Sequence, residues 1–428
     1  MQDHASHKTR MLWVSGVLHA FTHLYQVALI PLYLLIQKDF KLQSISQATL
    51  LLTVMMIGYF VPSYPMGFLA DHANRKKLLG FGLAINSLGF VGLALAPNYP
   101  CALVAVLVAG FGGSFYHPAA TAMIARLFPV GTGRALGLAA IGASAGFFVG
   151  PIYTGWRATV LEPTVGPAAW RRPVLELGML GILATLVFAW LADNELPIPL
   201  SERKPIVGRK LFPTPALWCY FFASAFAFSI RDFAGNSMGS LGSLFLQYAH
   251  RDDPGWTGLA VSGIFLPSVI SNPVFGGLSD RGRKGWMITV LTLAAVMVIL
   301  LPRLPSGWTI PVFLIYGFFF LSSYPMTEAA VMESVPDAAR GRVFGLWITV
   351  GGLLGNLAHW VVGAEVRSLG AAAYSPRAYY GMYGVLALMI VLSLFGLPFL
   401  HALRSREEEL EAKPGQASAR HAQAETPP

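Results

Sequence analysis

Charge is scarce in this chain. Only 12% of its 428 residues are Asp, Glu, Lys or Arg, against about a quarter in soluble globular proteins. So few ionised side chains cannot cover a surface that faces water, so most of this surface must face something else. Cysteine is nearly absent as well. Cys101 and Cys219 each lie within an apolar stretch, which argues against a disulfide framework and against a zinc cluster. No nucleotide-binding loop and no attached soluble domain are found, and no nucleophile–base pair suggests a membrane enzyme. No cofactor is expected.

What is abundant is apolar length. Hydrophobic residues make up 55% of the chain, and a helix crossing a ~30 Å hydrocarbon core needs about 20 of them in a row. Twelve such runs are expected, at 11–36, 45–70, 78–97, 100–126, 134–156, 173–193, 214–248, 256–279, 286–302, 309–333, 342–366 and 377–403. The run after the polar start MQDHASHKTR is too long for a signal-peptide core. The tail after His401 is charged and rich in Ala, Gly and Pro, the composition of a disordered segment. Basic residues then set the orientation. With the N-terminus inside, twenty of the thirty Lys and Arg fall on inner segments and nine on outer ones, and only Arg231 lies deep within a span. That bias predicts a multi-pass protein of the plasma (bacterial inner) membrane with both termini cytoplasmic. In this setting the net charge of +9 reflects topology, and no nucleic-acid partner is implied.

The chain repeats itself. GFLAD (67–71) recurs as GGLSD (276–280), GRALGL (133–138) as GRVFGL (341–346), and YHPAAT (116–121) as YPMTEA (324–329), always 208 or 209 residues apart. The expected fold is therefore an all-α membrane protein of twelve transmembrane helices in two pseudo-symmetric six-helix bundles. Its expected divisions are an N-terminal bundle (1–193), a cytoplasmic linker (194–213), a C-terminal bundle (214–403) and a disordered cytoplasmic tail (404–428). Two homologous halves of parallel topology are the pattern of an alternating-access carrier in a lipid bilayer.

These motifs resemble the major facilitator superfamily over nearly the whole chain. GFLADHANRKK (67–77) is similar to its signature between the second and third helices. The resemblance implies a conformational latch of Gly67, Asp71, Arg75 and Lys76, repeated by Gly276, Asp280, Arg281 and Arg283, that stabilises the outward-open state. Gly67 would allow close helix packing. In the fifth span, Gly146-x3-Gly150-Pro151 resembles the motif of the superfamily's antiporters and favours export. His19-x3-His23-Leu-Tyr-Gln26 and Tyr116-His117-Pro118-Ala119 resemble patterns of the fosmidomycin-resistance-like branch, with His23 and Ala119 in place of that branch's acids. The superfamily also implies that spans 1, 4, 7 and 10 line a central cavity and that one chain suffices.

Polar residues mark the expected path. Ser15, His19, Thr22, His23 and Gln26 share an arc of about 100° on span 1. Ser229, Asp232, Asn236, Ser240, Ser243 and Gln247 form a stripe on span 7, and spans 4 and 10 add His117, Tyr324 and Glu328. Ionisable groups in a bilayer usually face a bundle interior or an aqueous cavity. The candidate substrate and proton pathway is therefore His19, Thr22, His23, Gln26, His117, Arg231, Asp232, Asn236, Tyr324 and Glu328. Asp232 is the first candidate proton carrier, followed by Glu328 and Glu333, and His23 or His117 could share the task. Adjacent helical residues diverge, so Arg231 is expected to point away from Asp232 toward another partner. Glu333 is read as an ion pair, and Asn356 and His359 as interhelical hydrogen-bonding groups. No metal site is expected, because nothing near His19 and His23 in sequence completes a ligand set. The expected activity is secondary transport of a small organic solute, by proton-coupled efflux. Proton-coupled uptake of an organic anion, and a non-transporting receptor or scaffold, are the alternatives.

Overall fold

The computed structural model describes residues 2–128, 132–193, 211–279, 282–334 and 340–405. The expected linker (194–213), except its last three residues, lies outside them, as does the tail beyond Ser405. Among the described residues twelve helical spans follow one another. Nine stretches are long and apolar enough to cross a membrane by length and composition, and one of these, Arg134–Leu191, holds two spans. The two spans missed by that measure, Pro215–Phe245 and Pro254–Ser279, carry the most polar interior positions.

Local chemistry sets where the helices begin. Ser44 caps span 2 (Ile45–His72) in a reciprocal capping box with Gln47. Asn74 accepts from the Lys77 amide at 3.1 Å to start span 3 (Arg75–Ala94), and Asn98 accepts from the Cys101 amide at 3.0 Å to start span 4. Asp253 takes the Gly255 and Trp256 amides at the start of span 8. Each cap satisfies an amide that would otherwise be orphaned, for about 1 kcal/mol.

Among the described residues five spans are broken, one of them span 12, which tightens at Ser393–Phe395 after Tyr380–Leu392. Span 1 runs as Gln2–Val27, tightens at Ile30–Leu32 around Pro31, and resumes as Tyr33–Asp39. Span 4 is split into Tyr99–Gly113 and Tyr116–Leu127, span 8 into Pro254–Ser262 and Ser268–Ser279, and span 11 into Arg340–Asn356 and Ala358–Ser368. Backbone groups freed at such breaks are tolerated where protein surrounds them. Spans 5 (Thr132–Val165), 6 (Arg171–Leu191), 7 (Pro215–Phe245), 9 (Arg283–Leu300), 10 (Thr309–Glu333) and 12 (from Tyr380) complete the set.

The surface is apolar and the interior polar. Phe81, Leu186, Ile270 and Phe395 are exposed, and Trp190 is 82% exposed, a surface that lipid, not water, would cover. Trp13 and Trp190 sit near one end of their spans and Trp156 and Trp308 near the other, matching the aromatic belts of a bilayer's two interfaces.

Contacts between the halves gather at the end away from the termini. Ser243 donates to the Ile30 carbonyl at 2.6 Å, Gln247 to the Pro31 carbonyl at 3.2 Å, and Thr159 to Asp253 at 3.0 Å. Thr53 donates to the Asn356 carbonyl at 3.0 Å, and Tyr33, Ser240 and His359 form a buried chain with steps of 2.9 and 2.7 Å. His359 also meets Asn356, so both act as the interhelical bonding groups expected of them. At the terminal end the ion pairs Arg10–Asp193 and Arg283–Glu333 each stay within one half. The Arg10 guanidinium holds the Asp193 carboxyl below the ordinary carboxylate range.

The small-residue stripe on span 5 is a true close contact. A Cβ at Gly142 or Gly146 would overlap the Gly16 or Ala20 carbonyl of span 1, and one at Gly150 would lie 2.9 Å from the Leu24 carbonyl. Close packing was also expected at Gly67, but the structure differs. Among the described residues a Cβ at Gly67 or Gly276 would have nothing within 4 Å, so neither glycine serves a close helix approach in this structure. The two glycines therefore respond differently to substitution. Gly146→Val should cost about 1–3 kcal/mol through overpacking and lower the melting temperature in detergent, whereas Gly67→Ala should leave it unchanged.

Candidate functional site

In the N-terminal half, the candidate site is built by spans 1 and 4. The break at Ser114–Phe115 starts a new helix at Tyr116 and sets His117 beside the histidines of span 1. The His117 ring centre lies 5.1 Å from that of His19 and 5.4 Å from that of His23. His19 donates from Nδ1 to the Ala139 carbonyl of span 5 at 3.0 Å, and His23 donates from Nδ1 to Gln26 Oε1 at 2.9 Å. Their Nε2 atoms face each other at 3.0 Å. Tyr116 stacks on His19 at 4.6 Å and is itself anchored by donating to the Ser15 carbonyl. Phe147 packs on His23 at 4.3 Å and stacks on Phe265 of the other half at 4.8 Å, nearly parallel.

Two expectations change here. The case against a metal ligand set rested on the lack of a third ligand close in sequence. The fold supplies one from span 4, placing a ligand atom of His19, His23 and His117 all within 4.8 Å of one another. Thr22 leaves the path. It is buried, donates back to the Leu18 carbonyl, and lines a small pocket with Asn86 and Tyr116, since the arc it shares with His19 is wide enough to reach spans 3 and 4.

In the C-terminal half, the site is built by spans 7 and 10. Arg231 was expected to diverge from Asp232. Instead its long side chain folds back, and Nε and Nη2 donate to Asp232 Oδ1 at 3.0 and 2.9 Å. Cβ directions diverge between neighbours in a helix, but a guanidinium is far enough from its Cβ to return. Nη1 reaches span 10, donating to Thr327 at 2.7 Å and Ser323 at 3.3 Å. The guanidinium also lies over the Tyr324 ring, 4.2 Å from its centre. Glu328 is exposed on the same span, within electrostatic reach of Arg231 and Asp232. Asn236 lies against Gly355 of span 11.

The latch can be followed only in part. Arg75 is buried and donates from Nε to the Ala70 carbonyl at the end of span 2, and Lys76 lies within electrostatic reach of Asp193. Arg283 makes a two-pronged ion pair with Glu333 at 2.6 and 2.8 Å, which Arg404 joins. Glu333 is thus an ion-pair residue, as expected. The side chain of Asp71, and Asp280 and Arg281 entirely, lie outside the described residues. Gly146 and Gly150 meet span 1, while the carbonyl of Pro151 meets Gly258 of span 8 so closely that no Cβ fits between them. The antiporter-like stretch therefore lies where both halves touch.

Four site residues were not singled out from sequence: Tyr116's stacking role, the Phe147–Phe265 pair, and Thr327. Thr327 had a signal, since it stands four residues after Ser323 on one helix face. The aromatic pair had none, because its partners come from different halves. The Arg231–Asp232 pair makes a direct prediction. Arg231→Met leaves a largely buried carboxylate alone and should cost about 3–5 kcal/mol, while adding Asp232→Asn should restore most of the lost melting temperature.

Comparison with known proteins agrees with this architecture. The family model described as Major Facilitator Superfamily matches residues 12–359 and 258–424. The multi-drug resistance efflux pump PmrA of Streptococcus pneumoniae is 27% identical over 371 residues, covering 82% of this chain and 85% of that protein. The fosmidomycin resistance protein of Escherichia coli is 24% identical over 408 residues, covering 88% and 90%. Among solved structures, a bacterial homologue of the human lysosomal transporter Spinster, inward-facing and unoccupied, superposes with a TM-score of 0.72 at 15% identity, covering 94% of this chain and 98% of that one. With a family model spanning most of its length and a many-helix bundle with polar groups in its interior, the chain belongs to the major facilitator superfamily and is a multi-pass secondary transporter of a small solute.

Proposed function

We propose that this transporter exports a small organic compound in exchange for protons, and that Glu328 carries the proton. The observation behind the assignment is the contrast between two carboxylates on spans 7 and 10. Asp232 is held by two guanidinium hydrogen bonds, whereas Glu328 is exposed, with no hydrogen bond or ion pair among the described residues. A proton carrier must be released and reloaded as its surroundings alternate, and a carboxylate already neutralised by a fixed cation gains less from a proton.

Export is supported by what the relatives are named for: a multidrug efflux pump, a fosmidomycin resistance protein and, at 24% identity, an enterobactin exporter of Escherichia coli. The Gly146–Pro151 stretch at the junction of spans 1, 5 and 8 supports it too. Uptake of an organic anion is less well supported, because Arg231 already spends its donors on Asp232, Thr327 and Ser323. In this reading both termini are cytoplasmic in the bacterial inner membrane, and the halves, closed at the distal end, hold the inward-open state. One chain acts alone, with the Gly67–Lys76 and Gly276–Arg283 segments latching in the opposite state.

The test is transport in proteoliposomes, after a ligand-induced thermal-shift screen of antibiotics, sugars, organic acids and siderophores has found a substrate. A pH gradient of one unit is worth about 1.4 kcal/mol per proton, so one-for-one exchange should accumulate substrate up to about tenfold. Glu328→Gln should abolish this accumulation while leaving substrate counterflow intact. Gradient-driven accumulation that survives in Glu328→Gln would remove Glu328 from the mechanism.

A further inference from the structure

We propose that His19, His23 and His117 form a binding site for a divalent first-row transition-metal ion in the cavity, with a fourth coordination position open to a cavity ligand. The starting point is the pair of nitrogens 3.0 Å apart. A backbone carbonyl can only accept, so His19 Nδ1 carries the hydrogen in its bond to Ala139. His23 Nδ1 likewise donates to the carbonyl oxygen of Gln26. In the neutral rings both protons are then on Nδ1, and both Nε2 atoms present lone pairs to each other. Two lone pairs at that distance repel unless a cation lies between or beside them.

The surroundings match those of metal ligands rather than of ordinary buried histidines. Histidines that bind a metal usually donate their second ring N–H to a carbonyl or carboxylate, which fixes the tautomer and aims the free nitrogen. His19 and His23 both show that arrangement, from two different acceptors. Their ring planes are held from outside by Tyr116 and Phe147. Nitrogens bound at 2.0–2.1 Å in a tetrahedral site stand about 3.3 Å apart, so the His19–His23 spacing already lies within a few tenths of an ångström. His117 has to approach, its ligand atom lying within 4.8 Å of the others. It stands in the first turn after the break in span 4, where a small shift disrupts no interior helical hydrogen bond.

Three imidazoles suit Zn²⁺, Co²⁺, Ni²⁺ or Cu²⁺ and not Mg²⁺ or Ca²⁺. With no carboxylate in the set, a bound ion keeps its double charge, and its open position favours an anionic donor. A solute with a chelating oxygen would be held there directly. The site depends on the cavity's geometry and not on proton coupling, so either proposal can fail without the other.

The test uses the full chain in detergent, with any affinity tag removed and Co²⁺ as the probe. One Co²⁺ per chain should bind with the visible absorption of a four-coordinate site, and Zn²⁺ should displace it. His23→Gln and His117→Gln should each weaken binding by about tenfold or more, and Gln26→Leu, which frees the His23 ring, should weaken it within the 10–100-fold range of second-shell losses. His7→Gln and His250→Gln should change nothing. Metal-free melting temperatures of the variants, equal to that of the parent chain, would separate ligand loss from misfolding. Absence of stoichiometric Co²⁺ binding, or binding that His117→Gln leaves unchanged, would overturn the site.

Discussion

The contact of span 5 with spans 1 and 8 is the constraint on which the rest of the molecule depends. In a bilayer, lipid tails are as apolar as leucine, so helices gain little by burying apolar faces and associate through close packing and hydrogen bonds instead. Span 5 reaches that closeness through Gly142, Gly146 and Gly150, where the carbonyls of span 1 occupy the space of a side chain. The same approach brings the Ala139 carbonyl to His19. Farther along, Gly155 lies against Pro254, and Gly258 against Pro151, so the helix that orients the histidines also joins the two halves. Geometry at the site and closure at the distal end are therefore mechanically linked.

The two halves of the site solve the cost of buried polarity differently. On spans 7 and 10 a full ion pair is surrounded by hydroxyls and an aromatic face, so almost every donor of Arg231 is used. On spans 1 and 4 the groups are imidazoles, which can be neutral, and the outer nitrogens of His19 and His23 are matched with acceptors while their inner ones converge. The first arrangement is saturated and the second is not. A saturated network favours a fixed structure, and an unsaturated one favours a ligand.

Much of the fold was legible in the sequence because the bilayer imposes simple rules. Runs of about 20 apolar residues, a basic bias in alternate segments, and a repeat at 208 or 209 residues located the spans and the halves. The breaks were harder to see. The break in span 4 follows Gly112 and Gly113 and has Pro118, which cannot donate to the Ser114 carbonyl, four residues on, and the break in span 11 follows Gly355 and Asn356, but similar glycines and prolines also lie inside unbroken spans, so composition alone did not single these places out. At the candidate site, the helical spacing of His19 and His23 does put their rings side by side. Thr22 shows the limit, since an arc of ~100° spans two environments. Arg231 shows another: period alone tracks Cβ directions, and a long side chain can contradict them. His117 joined the pair only through tertiary packing, which no spacing within one helix encodes.

The adjacency of Arg231 and Asp232 has an electrical consequence. A charge carried across the full membrane potential exchanges about 2.3 kcal/mol per 100 mV. Both members of this pair belong to the same helix and are bonded here, so a rocking of span 7 that keeps the bond carries their charges through the field together, and the work done on one cancels that done on the other. A cation buried as deeply as Arg231 would in that case be silent to voltage. Whatever charge the transport cycle moves must then be borne by groups that change partners and by the solute itself.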